Sequence, residues 1–127
     1  MLPKSHNPKV YSVTELTHEI QNLLEDKFDF VWVEGEISNF SAPASGHYYM
    51  VLKDKSAQIR AVMFRLQARY LKFLPENGMH VIAQGRIGVY PPRGEYQIIL
   101  DYLSRFHFSR NGWRLSHPPA GLLSAIS

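Results

Sequence analysis

Three runs decide the fold: Val31-Trp32-Val33-Glu34-Gly35-Glu36-Ile37-Ser38-Asn39-Phe40, His47-Tyr48-Tyr49-Met50-Val51-Leu52-Lys53-Asp54 and Ala57-Gln58-Ile59-Arg60-Ala61-Val62-Met63-Phe64. Pro43, Ser45 and Gly46 separate the first two, and the tight turn Lys55-Ser56 separates the last two. Short alternating runs joined by such turns predict an antiparallel meander. In the first run Val31, Val33, Gly35 and Ile37 share a face, opposite Trp32, Glu34, Glu36 and Ser38. Tyr48, Met50 and Leu52 form the apolar set of the second run, and Ile59, Ala61 and Met63 that of the third. With these sets pointing inward, Tyr49 and Arg60 point outward on neighbouring strands. Gly35 inside a strand predicts a bulge or a sharp bend.

Upstream, residues 1–11 carry Pro3 and Pro8 without periodicity, which predicts a flexible lead-in. Ser12-Val13-Thr14-Glu15 fits a capping box, and Val13, Leu16, Ile20, Leu23 and Leu24 then recur at helical spacing. The spacing predicts an amphipathic helix over Val13–Glu25 whose apolar stripe packs on the core. Downstream, Leu66–Phe73 reads as a short helix stopped by Pro75 and the turn Glu76-Asn77-Gly78. Met79–Val89 is a fourth strand with bends at Gly85 and Gly88; Tyr90-Pro91-Pro92-Arg93-Gly94 is a loop; Glu95–Leu103 is a fifth strand. The order is helix, three strands, short helix, two strands. That predicts a mainly β protein, a five-stranded oligonucleotide/oligosaccharide-binding (OB) fold barrel over residues 12–103. From Ser104 to Ser127 neither period persists, and Gly112, Pro118 and Pro119 interrupt; the expectation there is a poorly ordered tail.

At 127 residues the chain has room for one domain with a real core. It has no Cys, so neither disulfides nor thiolate metal sites enter. No apolar leader or membrane-length run occurs, which predicts a soluble protein of a reducing compartment, the cytoplasm, without membrane contact. The formal charge of +3 resides wholly in Arg105, Arg110 and Arg114, because residues 1–103 hold 11 basic and 11 acidic side chains. Distribution is more informative. Seven acids and one base lie between Glu15 and Glu36, whereas eight bases and two acids lie between Lys53 and Arg93. An acidic end and a basic middle suit a polyanion on one face.

The six histidines are scattered without ligand spacing, and no Gly-rich phosphate loop occurs. No catalytic residues, metal ligands or cofactor site emerge. Glu34 and Glu36 share a face and read as ion-pairing or solvated carboxylates rather than an acid–base pair. The binding signal is stronger: aromatic platforms stack bases, each worth ~1–3 kcal/mol, and cations neutralise phosphates. The candidate nucleic-acid-binding set is His47, Tyr49, Arg60, Phe64, Arg86, Tyr90 and Arg93, with Ser38–Ser45 and the Tyr90–Gly94 loop flanking the cleft. Against it, Phe64 could be core, Tyr49 could pack on the first helix, and Glu34 and Glu36 would repel phosphate unless the bend at Gly35 turns them away or Arg60 and Arg86 neutralise them.

The segments VWVEGEISN (31–39), SGHYY (45–49) with Leu52-Lys53-Asp54, Arg60–Phe64, Glu76-Asn77-Gly78 and YPPRGEYQ (90–97) recur in order and spacing in one family. Over about residues 11–103 the chain closely resembles the N-terminal domain of the exodeoxyribonuclease VII large subunit. The resemblance implies an OB-fold barrel that delivers single-stranded DNA to a cytoplasmic nuclease. That nuclease cuts the strand from both ends to oligonucleotides and has a small subunit as partner. In the family the last strand runs into a Glu-Pro stretch, a helical segment and the catalytic domain; Ser104 onward resembles none of these. The chain thus resembles a copy truncated or frame-shifted after about residue 103, expected to bind the strand and leave it intact. An RNA- or tRNA-binding module of the same fold, and a protein-docking domain within the nuclease, are the competing readings.

Overall fold

Strand pairing closes the chain into a barrel, and the computed structural model describes it over residues 8–116. The elements are α1 (Val13–Lys27), β1 (Val31–Ser41), β2 (Tyr48–Lys53), β3 (Gln58–Met63), α2 (Arg65–Ala68), β4 (His80–Tyr90), β5 (Glu95–Ser109) and β6 (Gly112–Leu115). The sheet order is β3-β2-β1-β4-β5-β6. Every neighbour in it is antiparallel. Parallel pairing of Ala61 with Ile98 and of Val62 with Ile99 joins β3 to β5 and closes five strands on themselves. This is the expected OB-fold barrel, with one helix before it and one between β3 and β4.

The period-2 reading of the meander holds at its centre. Ile37, Met50, Leu52, Ala61 and Met63 are buried, and β4 and β5 add Val81, Ala83, Ile98, Leu100 and Leu103 to the same core. Val62 departs from the alternation: it belongs to the outward set yet is buried, because it sits on the β3–β5 seam. The β2–β3 turn is held by Asp54, whose carboxylate accepts from the backbone N–H of Ser56 (2.9 Å) and Ala57 (3.0 Å). Those bonds, the Ser56 amide first, hold the Asp54 carboxyl below the usual carboxylate range.

Gly35 is not a bulge. Register between β1 and β4 runs unbroken through Gly35 and Val81. Its lack of a side chain instead admits the crossing backbone, since a Cβ there would lie 3.1 Å from the Lys53 carbonyl oxygen. The irregularity of β1 falls between Ser38 and Ser41, where Asn39 takes φ 54°. Gly85 does coincide with a register shift against β5, and a Cβ there would collide with the Ile99 carbonyl oxygen.

Three expectations need correction. The second helix spans Arg65–Ala68, not Leu66–Phe73: Tyr70 and Leu71 donate to the carbonyls of Gln67 and Ala68, three residues back, so the coil tightens and ends before Pro75. The first helix has the predicted capping box, with Ser12 Oγ accepting from the Glu15 N–H and Glu15 Oε1 from the Ser12 N–H, both at 3.0 Å. The bond from the Ser12 N–H first, and the Ser12 hydroxyl second, hold the Glu15 carboxyl below its ordinary range. Its apolar stripe, however, does not enter the core. Val13 and Leu23 are 84% and 68% exposed, and Leu16 and Ile20 are exposed as well. Thr17, Gln21, Leu24 and Glu25 are the half-buried positions instead.

The third correction concerns the tail. β5 continues past Leu103 to Ser109 and turns back into β6, pairing Phe106 with Leu115 and Ser109 with Gly112. Ser104 is buried and donates its hydroxyl to the Ser116 carbonyl, while Ser116 N–H donates to the Arg105 carbonyl at 3.0 Å. Gly112 acts here as a turn residue at φ 102°, not as a breaker. Residues 1–7 of the expected lead-in and residues 117–127 of the expected tail lie outside the described residues.

Candidate nucleic-acid interface

Where β3 meets β5, side chains from four strands, with Phe64 and the Asn39 bulge, line an open cleft of about 530 Å³. The lining is Asn39, Tyr49, Met50, Val51, Arg60, Ala61, Val62, Phe64, Tyr90 and Gln97. Alternation puts Tyr49 and Arg60 here, because Met50 and Ala61 beside them point into the core. Phe64 follows as the residue preceding α2, with extended φ/ψ. Tyr90 ends β4 opposite Glu95 at the start of β5. Tyr49, Phe64 and Tyr90 are 44%, 40% and 49% exposed, so each ring is held at its root and open over part of its surface.

His47 braces this cluster rather than lining it. Its ring meets those of Phe64 (centroids 5.4 Å apart, 85° between planes) and Tyr49 (6.4 Å, 86°) edge to face. Nδ1 accepts from the Arg65 N–H at 2.9 Å, which in the neutral ring leaves the proton on Nε2. The imidazole is thereby fixed between the two aromatics it supports.

The remaining candidates divide. Four of the seven line the cleft: Tyr49, Arg60, Phe64 and Tyr90. Arg86 and Arg93 do not. Arg86 faces Asp101 of β5 at 3.8 Å, and Arg93 lies in the turn closed by its own N–H on the Tyr90 carbonyl (3.2 Å). The acids that raised an objection are turned away. Glu34 pairs with His80 at 3.2 Å and Glu36 with Lys53 at 3.5 Å, around a separate hollow that also includes Gly35, Asp54 and Lys55. Their partners are therefore not Arg60 and Arg86.

Sequence reasoning put Asn39 in the flanking Ser38–Ser45 stretch without singling it out, and missed Gln97 as a lining residue. Asn tolerates positive φ better than most residues, which was a usable signal for the β1 bulge. Gln97 had none, since its place depends on the non-local seam. Among the described residues, no three His, Asp or Glu side chains gather where they could hold a metal ion, and no helix is long and apolar enough to cross a membrane.

This geometry can stack planar groups on three rings and offer one guanidinium to an anion between them. A family model described as an OB-fold nucleic acid binding domain matches residues 11–104. The exodeoxyribonuclease 7 large subunit of Geotalea daltonii is 57% identical over 94 residues, covering 74% of this chain and 21% of that protein. The namesake from Shewanella loihica is 52% identical over 100 residues, 79% of this chain and 22% of that protein. The chain thus spans about a fifth of the length of the curated relatives it matches. Asparaginyl-tRNA synthetase from Pyrococcus horikoshii shares the fold, with a TM-score of 0.51 at 14% identity over 69% of this chain and 21% of that one. On its barrel and on the match over residues 11–104, the chain belongs to the OB-fold nucleic acid binding domain family, and exodeoxyribonuclease 7 large subunits are among its relatives above 50% identity.

Proposed function

We propose that this barrel binds single-stranded DNA as the binding domain of an exodeoxyribonuclease VII large subunit. It presents the strand for cleavage to oligonucleotides by parts of that protein not contained in this chain, in the cytoplasm and with the small subunit as partner. The observation that carries the reading is the cleft itself: Tyr49, Phe64 and Tyr90 hold half-open rings around Arg60. Unstacked bases can lie on such rings, whereas a duplex keeps its base faces covered. Identity above 50% to exodeoxyribonuclease 7 large subunits supports the choice of DNA over RNA.

Fluorescence anisotropy with a labelled oligo-dT tests this directly. Tyr49→Ala is expected to weaken binding by ~1–3 kcal/mol, the worth of one stacked base. An oligo-rU of equal length is expected to bind more weakly, since an RNA-reading site would use the 2′-hydroxyl. The oligonucleotide should emerge uncut with or without Mg²⁺. If Tyr49→Ala and Phe64→Ala both fold and bind like the parent, the cleft is the wrong face.

A further inference from the structure

Arg60 is the one cation among the residues that line the cleft, and it is already engaged: its Nη1 lies 3.5 Å from Glu95 Oε2. Glu95 opens β5 directly opposite Tyr90. Through the pairing of Ala61 with Ile98 and Val62 with Ile99, β5 runs alongside β3, so the ion pair bridges the seam under the cleft. To a guanidinium, a carboxylate and a phosphate are alternative ligands of the same charge sign and similar fork geometry. A phosphate that takes the Nη1 edge of Arg60 displaces Glu95, which leaves a carboxylate beside the polyanion.

We propose that Glu95 is an affinity-setting residue: an internal competitor that occupies Arg60 until a phosphate exchanges for it. The inference rests on the function proposed above and adds how that site is regulated. The cleft takes hold of bases through Tyr49, Phe64 and Tyr90, and the backbone contact at Arg60 follows by exchange. Magnitude decides that this is tuning rather than blockade. Both side chains are exposed, and exposed pairs are weak and screened by salt. A weak clasp suits a strand that must pass through the site rather than remain on it.

The test is a two-by-two set: the parent chain, E95Q, R60A and the R60A/E95Q double variant, with dT15 as probe at low and moderate salt. E95Q should bind about two- to five-fold more tightly at low salt, the range an exposed ion pair allows. Its salt dependence should steepen by about one counterion, because Arg60 then neutralises a phosphate unopposed. R60A should cost less in the parent than in E95Q, and R60A/E95Q should show no gain over R60A. Asp26→Asn, on the exposed face of α1, makes the same change in net charge and should bind like the parent. Melting curves check that each variant folds, and Glu95→Ala repeats the test without an amide able to bond Arg60. Equal binding by E95Q and parent, an equal gain from Asp26→Asn, or a gain that persists without Arg60 each overturns the competitor. Loss of dT15 binding in Tyr49→Ala alongside an inert E95Q would leave the binding reading standing and remove this one alone. Absence of dT15 binding in the parent and every variant would remove both.

Discussion

Helix α1 and the barrel strands are both amphipathic, yet they turn opposite faces to the molecule. In β2 and β3 the apolar set, Met50, Leu52, Ala61 and Met63, is buried. In α1 four of the five apolar residues, Val13, Leu16, Ile20 and Leu23, are exposed, and Leu24 alone is half-buried, beside the polar Thr17, Gln21 and Glu25. The reason lies in the backbone. A strand's N–H and C=O groups are tied to its neighbours in fixed register, so closing the barrel forces one face inward. A helix satisfies its own backbone and is free to dock by whatever outside group needs a partner. Here the need belongs to β4. Its pairing with β1 ends at Val31 and Gly85, which leaves the next stretch of its edge open. Phe28 C=O accepts from Ile87 N–H at 2.9 Å, and Glu25 Oε2 from Val89 N–H at 3.2 Å, itself held by Gln21 Nε2 at 3.1 Å. The helix is an edge cover first and an apolar surface second.

Ile98→Ala should produce the largest effect, because the side chain is fully buried at the seam: a loss of ~2–5 kcal/mol in chemical denaturation. A small loss would mean that the barrel is not the stable unit. Glu25→Ala should come next. It strips the Val89 N–H of its acceptor and should cost about 1–2 kcal/mol, with amide exchange quickened at Ile87 and Val89 while the core amides of β2 stay protected. Unchanged exchange at Val89 would show that the helix is held by something else. Ile20→Ser should be the smallest, within ~0.5 kcal/mol of the parent. If it costs as much as Ile98→Ala, the stripe is buried in solution and the contrast between helix and strand disappears.

Periodicity was enough to read the type of every element up to Leu103, because burial on one face imprints it locally. It carried the meander, the capping box and the outward placement of Tyr49 and Arg60. It could not say which way α1 faces, because that is settled by two open amides on β4 some sixty residues later in the chain. Nor could it gather the cleft. Gln97 enters only through the β3–β5 seam, which also sets Glu95 against Arg60, and Arg86 drops out because Asp101 on the paired strand faces it. The hairpin beyond Leu103 was missed for a different reason. Its strands are short, and Gly112 reads as a breaker until its partner Ser109 is known.

The seam has a bearing on time as well as on structure. β1 joins β2, β2 joins β3 and β4 joins β5 through near turns, whereas two pairings draw on distant parts of the chain: β1 with β4 through a continuous register from Val31 to Glu36, and β3 with β5 through two residue pairs alone. The entropy of closing a long loop is spent before the contact returns anything, and the β3–β5 seam returns the fewer pairs of the two, so this closure belongs to the late stages of folding. Contacts made late govern how fast a native state comes apart more than how fast it forms. An occupant reaching from Tyr49 and Arg60 on one side to Tyr90 and Gln97 on the other straddles that closure. Its mark on the molecule is therefore a slower unfolding rate, with the refolding rate left nearly where it was.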